Sequence, residues 1–360
     1  MDLLGSDNIY YYGRKNHLLR EVPMRIGVSL PSRLGDGAPG GGLSPRALID
    51  LAVLADRAPG WSHAWVADSV LSLPFYDSVV SLAACAAATS RIRLGVACLA
   101  SLGLRHPLLV AQQWANLDAL SGGRMILVAC PGEPPGDTPS GRPRARELAV
   151  FGMTHREKTA RMAEAVGFLR AVSSAHENNA PVRFDGEYFS IRDLVLRPGF
   201  VQRPLPIWLA ANPPADAPRH VVERVLRRVA TLGGGWLTFA VTPKLLAERL
   251  RLLRELAEEA GRPLPADFPV CVYLNVNTGE NAEHALADAV TAWQGETARV
   301  ITPELVREVA AVGPVGSCAE RFAELAEAGA TDVMIGLLSA DPKRLMHRIT
   351  ESLLPLITGD

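Results

Sequence analysis

The stretch that decides the fold is RLGVACLASLGLRHP, residues 93–107. It begins as an uncharged apolar run, which is typical of a parallel strand covered on both faces. In its second half the side chains become smaller, with alanine, serine and glycine between leucines. It closes on Arg105, His106 and Pro107, and proline is favoured at the first position of a helix. The stretch therefore predicts a buried strand, a loop of small residues and a helix, in that order.

The same strand and helix pattern recurs along the chain. Helix starts are indicated by a cap residue followed by proline, as in Ser44-Pro45 and Thr242-Pro243. Helix ends are indicated by glycine, as at Gly261. Short apolar runs fill the intervals and predict strands. The predicted strands are residues 25–30, 63–67, 92–98, 124–130, 206–210, 236–239, 270–276 and 332–337.

Eight parallel strands joined by helical crossovers predict an α/β fold, a single (β/α)8 TIM barrel over residues 25–360. The alternative is a doubly wound open sheet. Such a sheet normally carries a G-x-G-x-x-G turn after its first strand, and the glycines of residues 35–42 do not have that spacing. The closed barrel is therefore the preferred prediction.

The remaining segments are predicted to lie outside the barrel wall. Residues 1–24 form an N-terminal arm or leader. Insertions near residues 131–154, 181–197 and 277–303 are expected at the face formed by the carboxyl ends of the strands, and the second of them contains Asp185-Gly186, which is typical of a hairpin turn. Barrel enzymes build their active sites at that face, so the insertions are expected to shape the site.

Composition narrows the partners to small molecules. The net charge is -1, and the sequence has no basic cluster interleaved with aromatic residues, which disfavours binding to nucleic acid or a membrane surface. No apolar run reaches membrane-spanning length, and Asp2, Asp7 and Arg14 make the N-terminus too polar for a signal peptide. A cytoplasmic protein with a small-molecule substrate is expected.

The cysteines predict neither a disulfide framework nor a zinc site. The five cysteines are scattered through apolar runs without a C-x-x-C pair, which fits a reducing compartment. The sequence has neither an H-E-x-x-H motif nor a carboxylate cluster at ligand spacing, and it has no G-x-S-x-G elbow. No metal site is expected, and an esterase or metal hydrolase is disfavoured.

The predicted strand ends supply the candidate site. Small residues there would let the backbone approach a large planar ring closely, although residues 97–103 could also be a plain loop that leaves the barrel. The candidates that follow the second to sixth strands are Asp68, Ser69, Cys98, Cys130, Glu133, Ala211, Asn212 and Thr238.

Residues 89–132 contain a specific signature. The sequence TSRIRLGVACLASLGLRHPLLVAQQWANLDALSGGRMILVACPG resembles the corresponding region of the bacterial luciferase-like flavin-dependent oxidoreductases. The resemblance extends over residues 25–357, and that family has the (β/α)8 fold. It implies an oxidoreductase that binds FMN or the deazaflavin coenzyme F-420, with the third strand beneath the ring.

The resemblance also implies residue roles. The ring would lie against Ala97 and Cys98, at a bulge with a cis peptide bond between them, and near Cys130. The phosphate end of the cofactor would lie near Ala211, Asn212 and Thr238. The chain departs from the family pattern after Asn212, because Pro213 and Pro214 offer no backbone N–H to an anion.

A second departure concerns proton transfer. Many relatives have an acidic residue followed by histidine after the second strand, where this chain has Asp68 and Ser69. A serine cannot take up a proton near neutral pH. Glu133, in a Gly-Glu pair like that of deazaflavin-dependent sugar-phosphate dehydrogenases, is the candidate general acid.

Three functions follow from the resemblance. The preferred prediction is a monooxygenase that uses O2 and reduced FMN delivered by a flavin reductase, because shielding from water is then the protein's main task. The first alternative is hydride transfer with the deazaflavin coenzyme. The second is a non-catalytic flavin-binding paralogue, which Ser69 and Pro213-Pro214 favour. The resemblance also implies a homodimer.

Overall fold

The fold was analysed in a computed structural model, which describes residues 24–33, 44–135, 144–177, 180–295 and 300–359. The predicted N-terminal arm, apart from Met24, lies outside these residues. Parts of the insertions near 131–154 and 277–303 also lie outside them, at residues 136–143 and 296–299. The barrel strands are all described.

Eight parallel strands form a closed barrel, which confirms the predicted fold. Each strand pairs with its neighbours around the ring. The last barrel strand in the chain closes the circle, because it pairs with the strand before it and with the first strand. Each strand begins and ends within two residues of the run that was predicted for it. The barrel strands are β1 Arg25–Ser29, β2 Trp61–Val66, β3 Arg93–Leu99, β4 Met125–Ala129, β7 Ile207–Ala210, β8 Trp236–Phe239, β9 Val270–Thr278 and β11 Asp332–Leu337.

Among the described residues, three further strands lie outside the ring. β5 Val182–Asp185 and β6 Ser190–Leu194 form an antiparallel hairpin. The short strand β10 Ala311–Gly313 pairs with the end of β9. The hairpin turn includes Gly186, as the Asp185-Gly186 pair predicted from the sequence.

Helices cover the outside of the barrel. The predicted serine and threonine caps are present, since Ser44 Oγ accepts from the Ala47 N–H and Thr242 Oγ1 accepts from the Leu245 N–H. The helices are α1 Pro45–Arg57, α2 Ser78–Ala88, α3 Pro107–Ser121, α4 Arg144–Val150, α5 His155–Glu177, α6 Arg219–Leu232, α7 Pro243–Glu259, α8 Ala282–Gln294, α9 Pro303–Val309, α10 Val315–Glu327, α11 Pro342–Arg348 and α12 Leu354–Thr358.

Two tryptophans fill the barrel interior. The Trp65 and Trp208 rings lie 5.5 Å apart between centroids. Glycines on neighbouring strands make room for them: a Cβ at Gly95 would lie 2.2 Å from the Trp65 ring, and one at Gly235 would lie 2.6 Å from the Trp208 ring. The interior is therefore a packed core rather than a pore.

The face formed by the amino ends of the strands, here called the floor, is held by charged groups. Arg25 and Asp332 form a bidentate ion pair, with both N···O distances at 2.7 Å, across the seam between β1 and β11. The fully buried Asp118 carboxylate accepts from the backbone N–H groups of Val201 and Gln202 and from the Gln202 side chain. These bonds fix the loops beneath the barrel.

Candidate active site at the barrel mouth

The carboxyl ends of the strands form the opposite face, here called the mouth. The pairing of β3 with β4 shifts register between Ala97 and Leu99, which marks a bulge. The peptide bond between Ala97 and Cys98 is cis, as the resemblance implied. Ala97 and Cys98 are half-buried and contact the interior cluster around the two tryptophans. The bulge therefore presents small side chains at the top of the barrel.

Cys98 is joined to Cys130 by a disulfide bond. The scattered cysteines, without a C-x-x-C pair, predicted no disulfide framework, and for this pair the expectation of free thiols is wrong. The two residues are 32 positions apart in the chain, yet their Cα atoms lie 5.8 Å apart because β3 and β4 are neighbours. Parallel pairing through a helical crossover brings together residues that no local spacing could connect.

Two more residues at the mouth face the interior. Ala210 and Tyr273 pack against the same cluster as Ala97, and both are half-buried. A Cβ at Gly336 would lie 2.4 Å from both the Tyr273 hydroxyl and the Asn275 Oδ1, so these two polar groups use the space above Gly336. Tyr273 was missed from the sequence. Alternation along β9 from the inward-facing Cys271 was the signal that could have found it.

The residues predicted near the phosphate come together at the ends of β7 and β8. Thr238 Oγ1 donates to Asn212 Oδ1 over 2.9 Å. The Trp236 indole N–H donates to the Ala211 carbonyl over 2.9 Å. The side chains of Ala211 and Thr238 are buried, and Ala211 belongs to the core between the barrel and its helices. These residues therefore support the edge of the mouth from the side that faces the surrounding helices.

Arg249 explains how the chain tolerates Pro213 and Pro214. Its guanidinium, carried by α7, donates to the carbonyl oxygens of Pro213 and Pro214 over 2.6 and 2.9 Å. Burial lowers the pKa of Arg249 from its usual value, although an arginine stays protonated in proteins. A positive charge thus lies behind the loop that follows β7.

Asp68, predicted as catalytic, is held in a network. Its carboxylate is buried, with Oδ1 accepting from Ser78 Oγ over 2.8 Å and Oδ2 accepting from the Ser101 N–H over 2.9 Å. Arg105 lies 3.6 Å from Asp68 Oδ1 and also donates to Asp77 over 3.2 Å. Asp68 therefore links the end of β2 to α2 and to the loop after β3.

The structure places the other two predicted catalytic residues differently. Ser69 Oγ accepts from the Leu73 N–H over 3.1 Å, which closes the turn after β2. Glu133 is half-buried and follows Gly132, whose φ of +73° turns the chain just after Cys130. Glu133 thus follows Cys130 by three residues along the chain, at the start of the insertion.

The loop after β3 ends as predicted. His106 caps α3, because its Nδ1 accepts from the Leu108 N–H over 3.3 Å, and Pro107 is the first helical residue. The His106 ring also packs edge-on against Phe189 of the hairpin, with centroids 5.4 Å apart. These contacts give His106 a structural role.

A buried ion pair that the sequence did not reveal supports the mouth. Lys158 Nζ and Glu147 Oε1 lie 2.9 Å apart, and each side chain is only 3% exposed. Glu147 Oε2 also accepts from the Leu71 N–H over 3.1 Å. The pair therefore ties α4 and α5 to the loop after β2.

His63, by contrast, belongs to the floor side of the interior. It is buried and stacks on Trp65, with centroids 5.5 Å apart. Burial lowers the pKa of His63 to about 4, which the nearby Asp332 only partly offsets. The ring is neutral at pH 7 and lies away from the strand ends.

A metal-binding cluster and a membrane-spanning helix are both absent from the part of the chain that the structure describes. Among those residues no group of histidine, cysteine or acidic side chains could hold a metal ion. Within the same ranges no helix is both long and apolar enough to cross a membrane.

The fold and the mouth together define a (β/α)8-barrel protein whose candidate site is lined by small and apolar residues of β3, β7 and β9. The family model for luciferase-like monooxygenases matches residues 24–332. The chain belongs to this family, and it is therefore an enzyme of the oxidoreductase type. The non-catalytic alternative is set aside.

Curated relatives have names that point to one cofactor. The F420-dependent glucose-6-phosphate dehydrogenase of Kineococcus radiotolerans is 31% identical over 241 residues, which are 64% of this chain and 64% of that protein. The enzyme of the same name from Beutenbergia cavernae is 27% identical over 357 residues, covering 90% of this chain and 96% of that protein.

Solved structures confirm the fold. The monooxygenase RslO1 from Streptomyces bottropensis has a TM-score of 0.72 at 23% identity, covering 92% of this chain and 99% of that one. The coenzyme F420-dependent tetrahydromethanopterin reductase from Methanopyrus kandleri has a TM-score of 0.71 at 19% identity, covering 93% and 100%. At these identities the likeness concerns architecture alone.

Proposed function

We propose that the protein binds a flavin-type ring at the barrel mouth, against Ala97 and Cys98, and transfers electrons between that ring and a small organic substrate. The observation that carries the proposal is the bulge in β3, where small, half-buried side chains pack, like Ala210, against the interior cluster at the top of the barrel. A larger side chain at these positions would fill the space that a planar ring needs.

The ring is proposed to be the deazaflavin coenzyme. The two curated relatives described above are both named F420-dependent dehydrogenases. Glu133 supports the same choice, because it is half-buried and belongs to the Gly-Glu pair, shortly after Cys130 in the chain, that resembles those enzymes. When bound, the coenzyme supplies or accepts a hydride. The preferred prediction from the sequence, an FMN monooxygenase, becomes the second candidate.

The chain's own residues have separate tasks in this proposal. Ala97, Cys98 and Cys130 support the ring, and Asn212 and Thr238 shape the rim on the phosphate side. Glu133 moves the proton that accompanies hydride transfer. Asp68 is a positioning residue, because it holds the loop after β3 through the Ser101 N–H.

One observation favours the second candidate, a monooxygenase that uses reduced FMN and O2. Ser69 occupies the position where many relatives have histidine, and its hydroxyl is used in a turn with Leu73. The end of β2 therefore lacks that acid-base group. Oxygen chemistry depends less on such a group than hydride transfer does. A flavin reductase would then be the partner that supplies reduced FMN.

The deciding experiment is a titration of the purified protein with the deazaflavin coenzyme, FMN, and reduced FMN without air, followed by absorbance and fluorescence. Selective binding of the deazaflavin supports the main proposal. Tight binding of reduced FMN, with a transient new absorbance band when air is admitted, supports the second candidate. Binding of none of these would contradict both.

Glu133→Gln tests the proton-transfer role. The substitution keeps size and hydrogen bonding but removes the acid, so turnover with the deazaflavin is expected to fall about a hundredfold or more with little change in coenzyme affinity. The exposed Glu304 of α9 offers a matched control, Glu304→Gln, which should leave turnover unchanged. Undiminished turnover in Glu133→Gln would remove this residue from the mechanism.

A homodimer is also proposed. α2 contains no charged residue, and it packs beside α3. Exposed apolar side chains lie on both helices, at Val80, Leu109 and Leu120. Gln112 and Asn116 share the α3 surface, and amides both donate and accept, so the face is complementary to itself. Sedimentation should show a dimer for the native chain and a monomer for Leu109→Glu.

A cytoplasmic location, predicted from the polar N-terminal sequence, stays a prediction.

A further inference from the structure

The disulfide between Cys98 and Cys130 lies within the proposed ring site. Cys98 is the residue before the end of β3, and Cys130 directly follows β4. Their Cα separation of 5.8 Å lies within the ordinary range for a disulfide. The bond connects the bulge that supports the ring to the segment that leads to Glu133.

The other three cysteines have a different character. Cys85, Cys271 and Cys318 are buried free thiols. Burial raises the pKa of Cys85 to about 12 and that of Cys318 to about 11, and it also raises the pKa of Cys271. Buried thiols of this kind are unreactive near neutral pH, because the thiolate is the reactive form. All five cysteines lie in described parts of the chain, so the mouth pair is the one placed to change its covalent state.

Access to the bond is from one side. Cys98 is half-buried, whereas Cys130 is only 7% exposed. A reagent entering the mouth therefore reaches the sulfur of Cys98 first. In a cytoplasmic protein, the location proposed above, a disulfide is usually transient and serves catalysis or redox sensing rather than stability.

We infer that Cys98 and Cys130 form a reversible redox-modification site at the barrel mouth, which dithiol reductants open and small-molecule disulfides close, and which a bound coenzyme ring shields. The shielding rests on the proposed function, since it requires the ring to lie over Cys98. The redox change itself does not.

The exchange proceeds in two balanced steps. A thiolate of the dithiol attacks Cys98 Sγ, the bond to Cys130 breaks, and Cys130 leaves as a thiolate that takes up a proton. The second thiolate of the reagent then attacks the mixed disulfide, releases Cys98 as a thiolate that is protonated, and forms the cyclic disulfide of the reagent. The dithiol loses two electrons, and the cysteine pair gains them.

Opening the bond changes the ring site. The two sulfur atoms move from bonding distance to van der Waals contact, so they need more room beside Ala97. The segment from Cys130 to Glu133 also loses its covalent tie to β3. Reduction is therefore expected to weaken coenzyme binding about tenfold, and the redox state of the cell would set how much of the enzyme is loaded.

Thiol counting on the full chain tests the redox change. Protein purified without reductant is unfolded, alkylated with iodoacetamide and weighed by mass spectrometry. Three alkylated cysteines are expected before, and five after, native incubation with dithiothreitol. Five in the untreated protein and after exposure to oxidised glutathione would overturn the inference, because the bond would not form. Three after dithiothreitol would also overturn it, because the bond would not open.

Variants locate the change. Cys85→Ser should keep the gain of two thiols, from two to four, whereas Cys130→Ser should show four in both states. A gain of two thiols in Cys130→Ser would assign the redox change to other cysteines and overturn the assignment.

The shielding is tested by repeating the reduction with saturating deazaflavin coenzyme. The rate of thiol appearance is expected to fall at least tenfold. An unchanged rate, in a sample where fluorescence shows the coenzyme bound, would place the ring away from Cys98 and overturn the shielding. If the coenzyme does not bind, the proposed function and the shielding fail together, while the thiol counts still decide the redox change.

Discussion

The floor and the mouth of this barrel are built from different materials. At the floor, the fully buried Asp118 carboxylate accepts three hydrogen bonds, and the half-buried Arg25 donates two to the buried Asp332. At the mouth, the strand ends at Ala97, Cys98 and Ala210 are small and half-buried. The floor therefore carries much of the stability of the barrel, and this leaves the mouth free to hold a ligand.

The largest effect is expected from breaking the floor. Asp118→Ala removes the acceptor of three part-buried N–H groups, two of them on the backbone at Val201 and Gln202. The free energy of unfolding is expected to fall by about 4 kcal/mol. Chemical denaturation measures this change. Asp118→Asn keeps one acceptor oxygen and should lose less, and coenzyme affinity of the folded protein should not change in either variant.

The second effect is a pH dependence that arises at the floor. The pKa of His63 is lowered to about 4, so between pH 6.5 and 4 the unfolded chain binds a proton at this residue and the folded chain does not. The free energy of unfolding therefore falls as pH falls through this window, by about 3 kcal/mol in total.

Denaturation between pH 7 and 4 measures this effect by difference. Other groups also titrate there, so the comparison is with His63→Gln, which should show a flatter profile over the same range. Parallel profiles for the two proteins would mean that His63 is protonated in the folded state.

The third effect belongs to the mouth. Ala97→Leu places a larger side chain where the ring is proposed to lie, so coenzyme affinity is expected to fall about a hundredfold or more while the fold persists. Fluorescence titration measures affinity, and circular dichroism checks the fold. Ala287→Leu, on the exposed face of α8, is the matched control. Unchanged affinity in Ala97→Leu would move the site elsewhere.

The smallest effect is expected from a substitution in the turn after β2, at the mouth. Ser69→Ala removes one hydrogen bond in the turn that reaches Leu73, so the free energy of unfolding should fall by about 1 kcal/mol. Because the hydroxyl is used in that turn, turnover should change by less than about threefold. Steady-state kinetics checks this, and a hundredfold loss would return Ser69 to the catalytic residues.

Much of the fold was predictable because its signals are local. The run over residues 270–274 is apolar over one strand length, and a cap followed by proline at Thr242 fixes where α7 begins. Such signals lie within one helical turn or one strand, where propensity and capping act directly. The hairpin turn at Gly186 was found for the same reason.

The candidate site was predictable in part. The positions of Ala97 and Cys98 followed from a family signature, and the bulge in β3 lies there. Tyr273 and the ion pair between Lys158 and Glu147 were not predicted. Each depends on which elements become neighbours in space, and chain spacing does not give that information.

By itself the sequence determined that this chain is a closed α/β barrel with small residues at the end of its third strand, because periodicity, capping and residue size are written along the chain. Only the tertiary structure decided that Cys98 meets Cys130, that Asp68 is held by Ser78 and Ser101, and that Arg249 satisfies the carbonyls of Pro213 and Pro214. The physical reason is that these contacts join separate strands and helices, and their energies depend on distances that exist only once the barrel has closed.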